Sequence, residues 1–342
     1  MVFQVEKPCA KLGLNPCHTY VVITFAKKQG MATPKSFLLG SAQWGWNVSR
    51  AEAFRLLDTW LAAGHRAVDC ATNYPINRNP ADFRTAEKIL LEYVRAHGLR
   101  DLRVTMKIGS LDNMRSPEVN LSPSFVLMMG EEYHRLFGEN LRCVMFHWDN
   151  RDDAAAIRAS LESLARLQKE TGIQPGISGI KFPEAYARAN SDFDLHFDIQ
   201  LKHNVFQSDF ERYQPFFKSQ DNQINKSPNH QFFAYGINAG GVKLDERYEL
   251  GSVFLARGGQ PEKVAALLEK IRAILPDLNT AFVRPPVKTM NHVGLIYAGL
   301  HPELDGILLG VSSVGQLQET LDFWRNLEVF DYSDVFVALG KI

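Results

Sequence analysis

The chain has little of what would tie a protein to a membrane, a nucleic acid or an oxidising compartment. No apolar run approaches the roughly 18 residues of a membrane-spanning helix. Neither sign of charge dominates: Lys plus Arg and Asp plus Glu each total 38, and the pI is about 7.2. That balance offers no basic field to phosphodiester backbones or anionic lipid, so neither nucleic acid nor membrane is an expected partner. Cysteine is scarce. Cys9, Cys17, Cys70 and Cys143 have neither zinc spacing nor the density of a disulfide framework, which suits a reducing cytoplasm. Internal repeats, low-complexity tracts and an interdomain linker are also missing. With 342 residues the chain fits one large α/β barrel or two medium domains. The first thirty residues lack a secretion signal: "CAKLGLNPCH" has no compact basic start, and the apolar "YVVITFA" after it is short. Residues 1–30 are therefore expected to be a dispensable or poorly ordered extension ahead of a domain at 31–342.

What is present is an alternation. "FLLGS" (37–41) precedes "SRAEAFRLLDTWLAAG", where Ser49 and Glu52 make a capping box and Phe54, Leu57 and Leu61 share a face. "AVDCA" (67–71) precedes an amphipathic stretch from Phe83 to His97, and "RVTMKIG" (103–109) precedes "SPSFVLMMGEEYHRLFG". "CVMFHW" (143–148) precedes a helix that the pattern caps at Asp152, stripes with Ile157, Leu161 and Leu164, and stops at Gly172. "PGISG", "FDIQLKH", "FFAYG" and "GILLGV" continue the series, the last followed by a capping pattern at Ser313 and Gln316. Repeated βα units imply parallel strands, and eight of them predict a single-domain (β/α)8 barrel. A doubly wound dinucleotide-binding sheet would carry a Gly-rich turn after its first strand, and "GSAQWG" is not that fingerprint.

Three of these apolar strands end on a polar residue: Asp69, Lys107 and His147. Tyr74 follows in the loop five residues after Asp69. A single one would be a satisfied core group; on consecutive strands they gather at the C-terminal mouth, where barrel enzymes place their chemistry. The set is chemically coherent. A phenol ordinarily titrates near ~10, and an adjacent ammonium favours its anion. The lysine stays charged in a buried site only beside a carboxylate, and a histidine can orient and polarise a carbonyl oxygen. Together they form a proton relay that feeds an oxyanion.

At these residues the sequence resembles the aldo-keto reductases. "DCATNY" is similar to their Asp-x-Ala-x-x-Tyr motif, "TMKIG" to their lysine strand and "FHWD" to their histidine strand, and the likeness runs over about residues 37–328. The resemblance implies Tyr74 as general acid/base, Asp69 and Lys107 tuning it, and His147 orienting the carbonyl. It also implies an extended nicotinamide dinucleotide on the later strands. Ser178 and Gln200 would hold the carboxamide, although Gly179 stands where the family has asparagine. Tyr235 would stack under the nicotinamide ring, and the glycine-rich Ala239–Gly259 loop would wrap the pyrophosphate. Ser312, Gln316 and Glu319 would meet the adenosine end. The family's 2′-phosphate-gripping basic residues fall at Ser312 or Gln316, neither of them charged, so the implied cofactor is NADP with NAD as the alternative.

On the substrate side, Trp44 and Trp46 follow the first strand and are candidates for the pocket wall. Asp149 and Asn150 follow His147 and could meet hydroxyls, which leans the substrate toward a sugar-like carbonyl. No second His lies at helical spacing from His147 or His203, so no metal is expected. The implied activity is reversible reduction of an aldehyde or ketone by a monomer or weak homo-oligomer. Two rivals stand beside it: a dinucleotide-binding redox sensor with little turnover, and a lyase using Lys107 as a Schiff base. The lyase requires a depressed lysine pKa, which Asp69 opposes.

Overall fold

The computed structural model describes residues 35–217, 230–248, 252–256 and 258–342. The expected extension at residues 1–30, and residues 249–251 and 257 of the glycine-rich loop, lie outside them. Eight parallel strands are β1 (Ser36–Gly40), β2 (Ala67–Ala71), β3 (Arg103–Ile108), β4 (Leu141–His147), β5 (Gln174–Ser178), β6 (Asp198–Asn204), β7 (Gln231–Tyr235) and β8 (Gly306–Leu309). Each pairs with the next, and β8 returns to β1 with Ser36 opposite Gly306 and Leu39 opposite Leu309. The sheet is a closed barrel with helices between strands, a single-domain (β/α)8 fold. A two-residue strand, Gln207–Ser208, folds back antiparallel on the end of β6.

The helices are α1 (Arg50–Ala62), α2 (Thr85–Ala96), α3 (Pro123–Phe137), α4 (Ala154–Thr171), α5 (Pro183–Asn190), α6 (Val253–Ala256), α7 (Pro261–Thr280), α8 (Met290–Gly299), α9 (Val314–Val329) and α10 (Ser333–Leu339). The returns are less regular than one helix per strand. Between β6 and β7 the only helical element among the described residues is a 3₁₀ stretch, Glu211–Phe216, whereas α6, α7 and α8 all lie between β7 and β8.

Local chemistry sets the ends. Ser49 caps α1 by accepting from the Glu52 N–H, but the Glu52 carboxylate does not close the box. It accepts instead from the Val314 N–H, 3.0 Å away, and ties α1 to the start of α9. On α1 the fully buried stripe is Ala53, Leu56, Leu57 and Trp60, with Phe54 and Leu61 at its margins. The α4 cap is Asp153 rather than Asp152, its carboxylate accepting from Ala155 and Ala156. Ile157, Leu161 and Leu164 are buried as expected, and Gly172 ends the helix at φ 75°, a left-handed position that glycine adopts without cost. The outer core lies between these apolar helix faces and the strands, and rigid packing there holds the strand ends that face the mouth.

Candidate active site

Strand register brings the expected polar residues side by side. Asp69 lies opposite Gly40 and Thr105, and Lys107 opposite Ala71 and Met145. Ser178 on β5 lies opposite His147 on β4 and Gln200 on β6. Asp69, Lys107 and Gln200 form one buried cluster. The Lys107 ammonium donates to Asp69 Oδ2 and, at 3.2 Å, to Gln200 Oε1. Gln200 Nε2 donates to Asp69 Oδ1 at 2.6 Å, and Ser178 Oγ donates to Gln200 Oε1 at 3.2 Å. The amide thus turns its oxygen to the cation and its nitrogen to the carboxylate, satisfying a pair that burial would otherwise penalise. That bridging place for Gln200 is not what the sequence suggested.

Tyr74 packs against this cluster. Lys107 Nζ lies 4.9 Å from the centre of its ring, and His147 meets the ring edge-on with centroids 5.8 Å apart. Burial raises the Tyr74 phenol above its ordinary value; Lys107 pulls it down, as charge alone requires, but burial wins. Burial also pulls on the Lys107 ammonium, but Asp69 and then Tyr74 outweigh that and lift it above its ordinary value. For His147, burial first and Lys107 second act together, holding the imidazole well below its usual range. At neutral pH the mouth therefore holds a protonated phenol, a charged lysine and a neutral imidazole. His147 Nδ1 is buried without a partner.

All four residues line one cavity of about 900 Å³ that runs from the mouth to α9. That is the upper end of the range for small-molecule sites. Ser178, Gln200, Tyr235, Ser312, Gln316 and Glu319 line it too. Gly236, Gly240 and Gly241 have φ values of 68°, 80° and 99° and face it with bare backbone. A Cβ on Gly240 or Gly310 would meet no protein atom within 4 Å, so both surfaces are open for a ligand to approach closely. Asn238 Oδ1 is buried there without a partner. Bare backbone, an unpartnered amide oxygen and a long cavity suit an extended dinucleotide.

Several expectations fall elsewhere. Trp44 is fully buried beneath its loop and Trp46 is half-buried; neither lines the cavity, whereas Gln43 and Asn47 from the same loop do. Asp149 is also fully buried. It accepts from Arg151 Nε at 2.9 Å, from Arg151 Nη2 at 2.8 Å and from the Tyr186 hydroxyl. Asn150 donates to the Pro117 carbonyl at 2.7 Å. Both are spent on structure, which removes their case for a sugar. Gly179 sits at φ 63°, and a Cβ there would come within 2.6 Å of Trp148 Cδ1. The Trp148 indole, tilted against His147 with centroids 4.4 Å apart, fills that place and lines the cavity. Trp148, Lys243 and Lys288 also line it and were missed; only folding brings them there.

Among the described residues no group of three or more His, Cys, Asp or Glu could hold a metal ion, and no helix is long and apolar enough to cross a membrane. A family model described as the Aldo/keto reductase family matches residues 37–335, most of the chain. No curated protein is similar enough to count as a match.

Proposed function

The chain belongs to the aldo/keto reductase family, and from that premise we propose that it reversibly reduces an aldehyde or ketone with Tyr74 as general acid/base. The family supports NAD(P)-dependent carbonyl reduction in general. The observation that carries the finer reading is the buried Asp69–Lys107–Gln200 cluster beside the Tyr74 ring, at the head of a single long cavity.

A bound reduced nicotinamide supplies the hydride. Ser178 and the second N–H of Gln200 would hold its carboxamide, and Tyr235 would lie under its ring; all three line the cavity. The substrate oxygen sits between the Tyr74 hydroxyl and the neutral His147 imidazole, which orients it by hydrogen bonding. As negative charge grows on that oxygen, Tyr74 gives up its proton and Lys107 stabilises the phenolate left behind. Solvent returns the proton, and in the oxidative direction Tyr74 takes it from the alcohol. Asp69 keeps Lys107 charged throughout. Trp148 takes over the wall expected of Trp44 and Trp46.

Cytoplasmic residence belongs to the proposal and rests on the buried free thiols of Cys70 and Cys143. So does the dispensability of residues 1–30, because the sheet closes through β1 and β8 without them.

The test is to mix the purified chain with NADPH or NADH and a panel of aldehydes, ketones and sugars, following loss of the reduced nicotinamide's absorbance. Steady oxidation with at least one carbonyl is expected. Dinucleotide binding without turnover across the panel points to the redox-sensor reading, and borohydride trapping of a carbonyl on Lys107 to a lyase.

A further inference from the structure

The Lys107 ammonium has three N–H groups to place. One goes to Asp69 Oδ2 and one to Gln200 Oε1 at 3.2 Å. The third is left for the side of Tyr74, whose ring centre lies 4.9 Å from Nζ. Both oxygens of Asp69 are engaged as well, Oδ2 by the ammonium and Oδ1 by the Gln200 amide at 2.6 Å. Removing that amide would free a donor of the lysine and an oxygen of the aspartate at once.

Gln200 makes these contacts from across the barrel. It lies on β6, on the opposite side of the closed ring from Asp69 on β2, and its side chain is fully buried. Its orientation is fixed by its partners. Oε1 accepts from Lys107 and from Ser178 Oγ, each at 3.2 Å, while Nε2 donates to Asp69. A flipped amide would turn N–H groups toward an ammonium and an oxygen toward a carboxylate. An amide that only gripped a ligand would have no need of this bridge.

We propose that Gln200 is a positioning residue of the proton relay, holding Lys107 where its charge stabilises the Tyr74 phenolate. The inference rests on the reading of Tyr74 as general acid/base and adds a residue that acts on the proton through Lys107. The physical reason is competition for one cation. The charge on Asp69 is permanent, whereas that on the phenolate appears only as the proton leaves, so the carboxylate pulls the ammonium its own way. The amide weakens that pull by occupying Oδ1 and by giving Nζ a second acceptor, and the cation is shared rather than captured. Without the amide the ammonium is drawn to the freed carboxylate oxygen, and its effect on the phenol falls with distance. The remaining N–H of Gln200 stays available to a ligand, so positioning and binding are separable by measurement.

The test is the pH dependence of alcohol oxidation at saturating NADP+ or NAD+, using the alcohol of a carbonyl that the wild type reduces. Wild type, Gln200→Leu and Gln200→Glu are compared, with dinucleotide affinity measured in parallel by calorimetry. In this direction Tyr74 must be ionised to act as the base, so the rate rises with pH through the apparent pKa of the phenol. Both variants should move that rise upward by about one pH unit or more. Gln200→Leu does so by releasing Lys107 to Asp69, and Gln200→Glu by adding a negative charge beside the pair. High pH should bring the variant rates back toward wild type, which a loss of packing alone would not do. If Gln200→Leu does not fold, Gln200→Glu, which keeps the size and an acceptor oxygen, carries the comparison. A rise that stays in place while dinucleotide affinity falls would confine Gln200 to ligand binding and overturn the inference, leaving the proposed reduction intact. A wild type without turnover on any carbonyl would remove the proposed function and this inference together.

Discussion

The barrel buries a strand aspartate at each end and treats the two in opposite ways. At the C-terminal mouth, Asp69 is fully buried, pairs with Lys107 and accepts from Gln200 at 2.6 Å. At the N-terminal end, Asp198 begins β6, nearly buried, and among the described residues none donates a hydrogen bond to its carboxylate. Burial raises Asp198 to about 6; Arg142 and Arg103 draw it down through space, and Asp305 pushes it up. The bottom of the barrel thus leaves a buried carboxyl without fixed partners, so that it takes a proton as pH falls through about 6. The mouth keeps full charges and surrounds them with fixed partners. A buried ion pair is rarely better for stability than well-packed apolar residues. Its retention at the mouth therefore points to chemistry.

Lys107→Met should break the mouth most severely. Carbonyl reduction is expected to fall by ~10²–10⁴-fold, the usual worth of general acid catalysis, because the phenolate loses its stabilising charge. Leaving Asp69 buried and unpaired should cost about 3–5 kcal/mol, read as a lower urea midpoint at unchanged slope.

A smaller effect, spread over the fold, follows from six histidines that burial holds below their ordinary value, His65 among them. His147 lies well below it, His203 at about 3, and His230, His292 and His301 at about 4. Unfolded imidazoles take up protons near ~6.5 that the folded ones refuse, so the stability is present above that pH and is lost as pH falls toward 4. Asp198 works the other way, since its folded value lies above the unfolded ~3.9 and it adds stability as pH falls through about 6. One carboxyl against six imidazoles leaves a net loss. Urea midpoints should decline steadily from pH 7 to pH 4; a flat or rising series would contradict the assigned burial.

The smallest effect belongs to Asp198→Asn. It should stabilise the protein at pH 8 by on the order of 1 kcal/mol, since one pKa unit is worth about 1.4 kcal/mol. The gain should vanish by pH 5, where the wild-type carboxyl is already protonated. A loss of stability at pH 8 would mean that Asp198 has a partner and that the two ends are alike.

The fold was legible because short, mostly apolar strand segments alternate with helical patterns, and the predicted strands agree with the observed ones to within one or two residues. Asp69, Lys107 and His147 were legible for the same reason, as single polar groups in otherwise apolar strands. Loops were harder to read. Trp44 resembles a pocket wall in sequence and is core in the structure, because nothing local tells which way a loop folds over a hydrophobic face. Asp149 looked available until Arg151, two residues on, and Tyr186, on a distant helix, claimed it. Asp152 and Asp153 both suit an N-cap, and one residue of helix phase decides between them. Lys288 could not be found from sequence at all: nothing near it in the chain shows that it lines the cavity.

The central claim is that the Tyr74 hydroxyl moves the proton. Tyr74→Phe keeps the ring and removes only that hydroxyl, so dinucleotide affinity and thermal stability should stay close to wild type. Single-turnover reduction of a carbonyl by the preloaded variant should fall by at least ~10²–10⁴-fold. A Tyr74→Phe protein that reduces its carbonyl at the wild-type rate would contradict the mechanism outright.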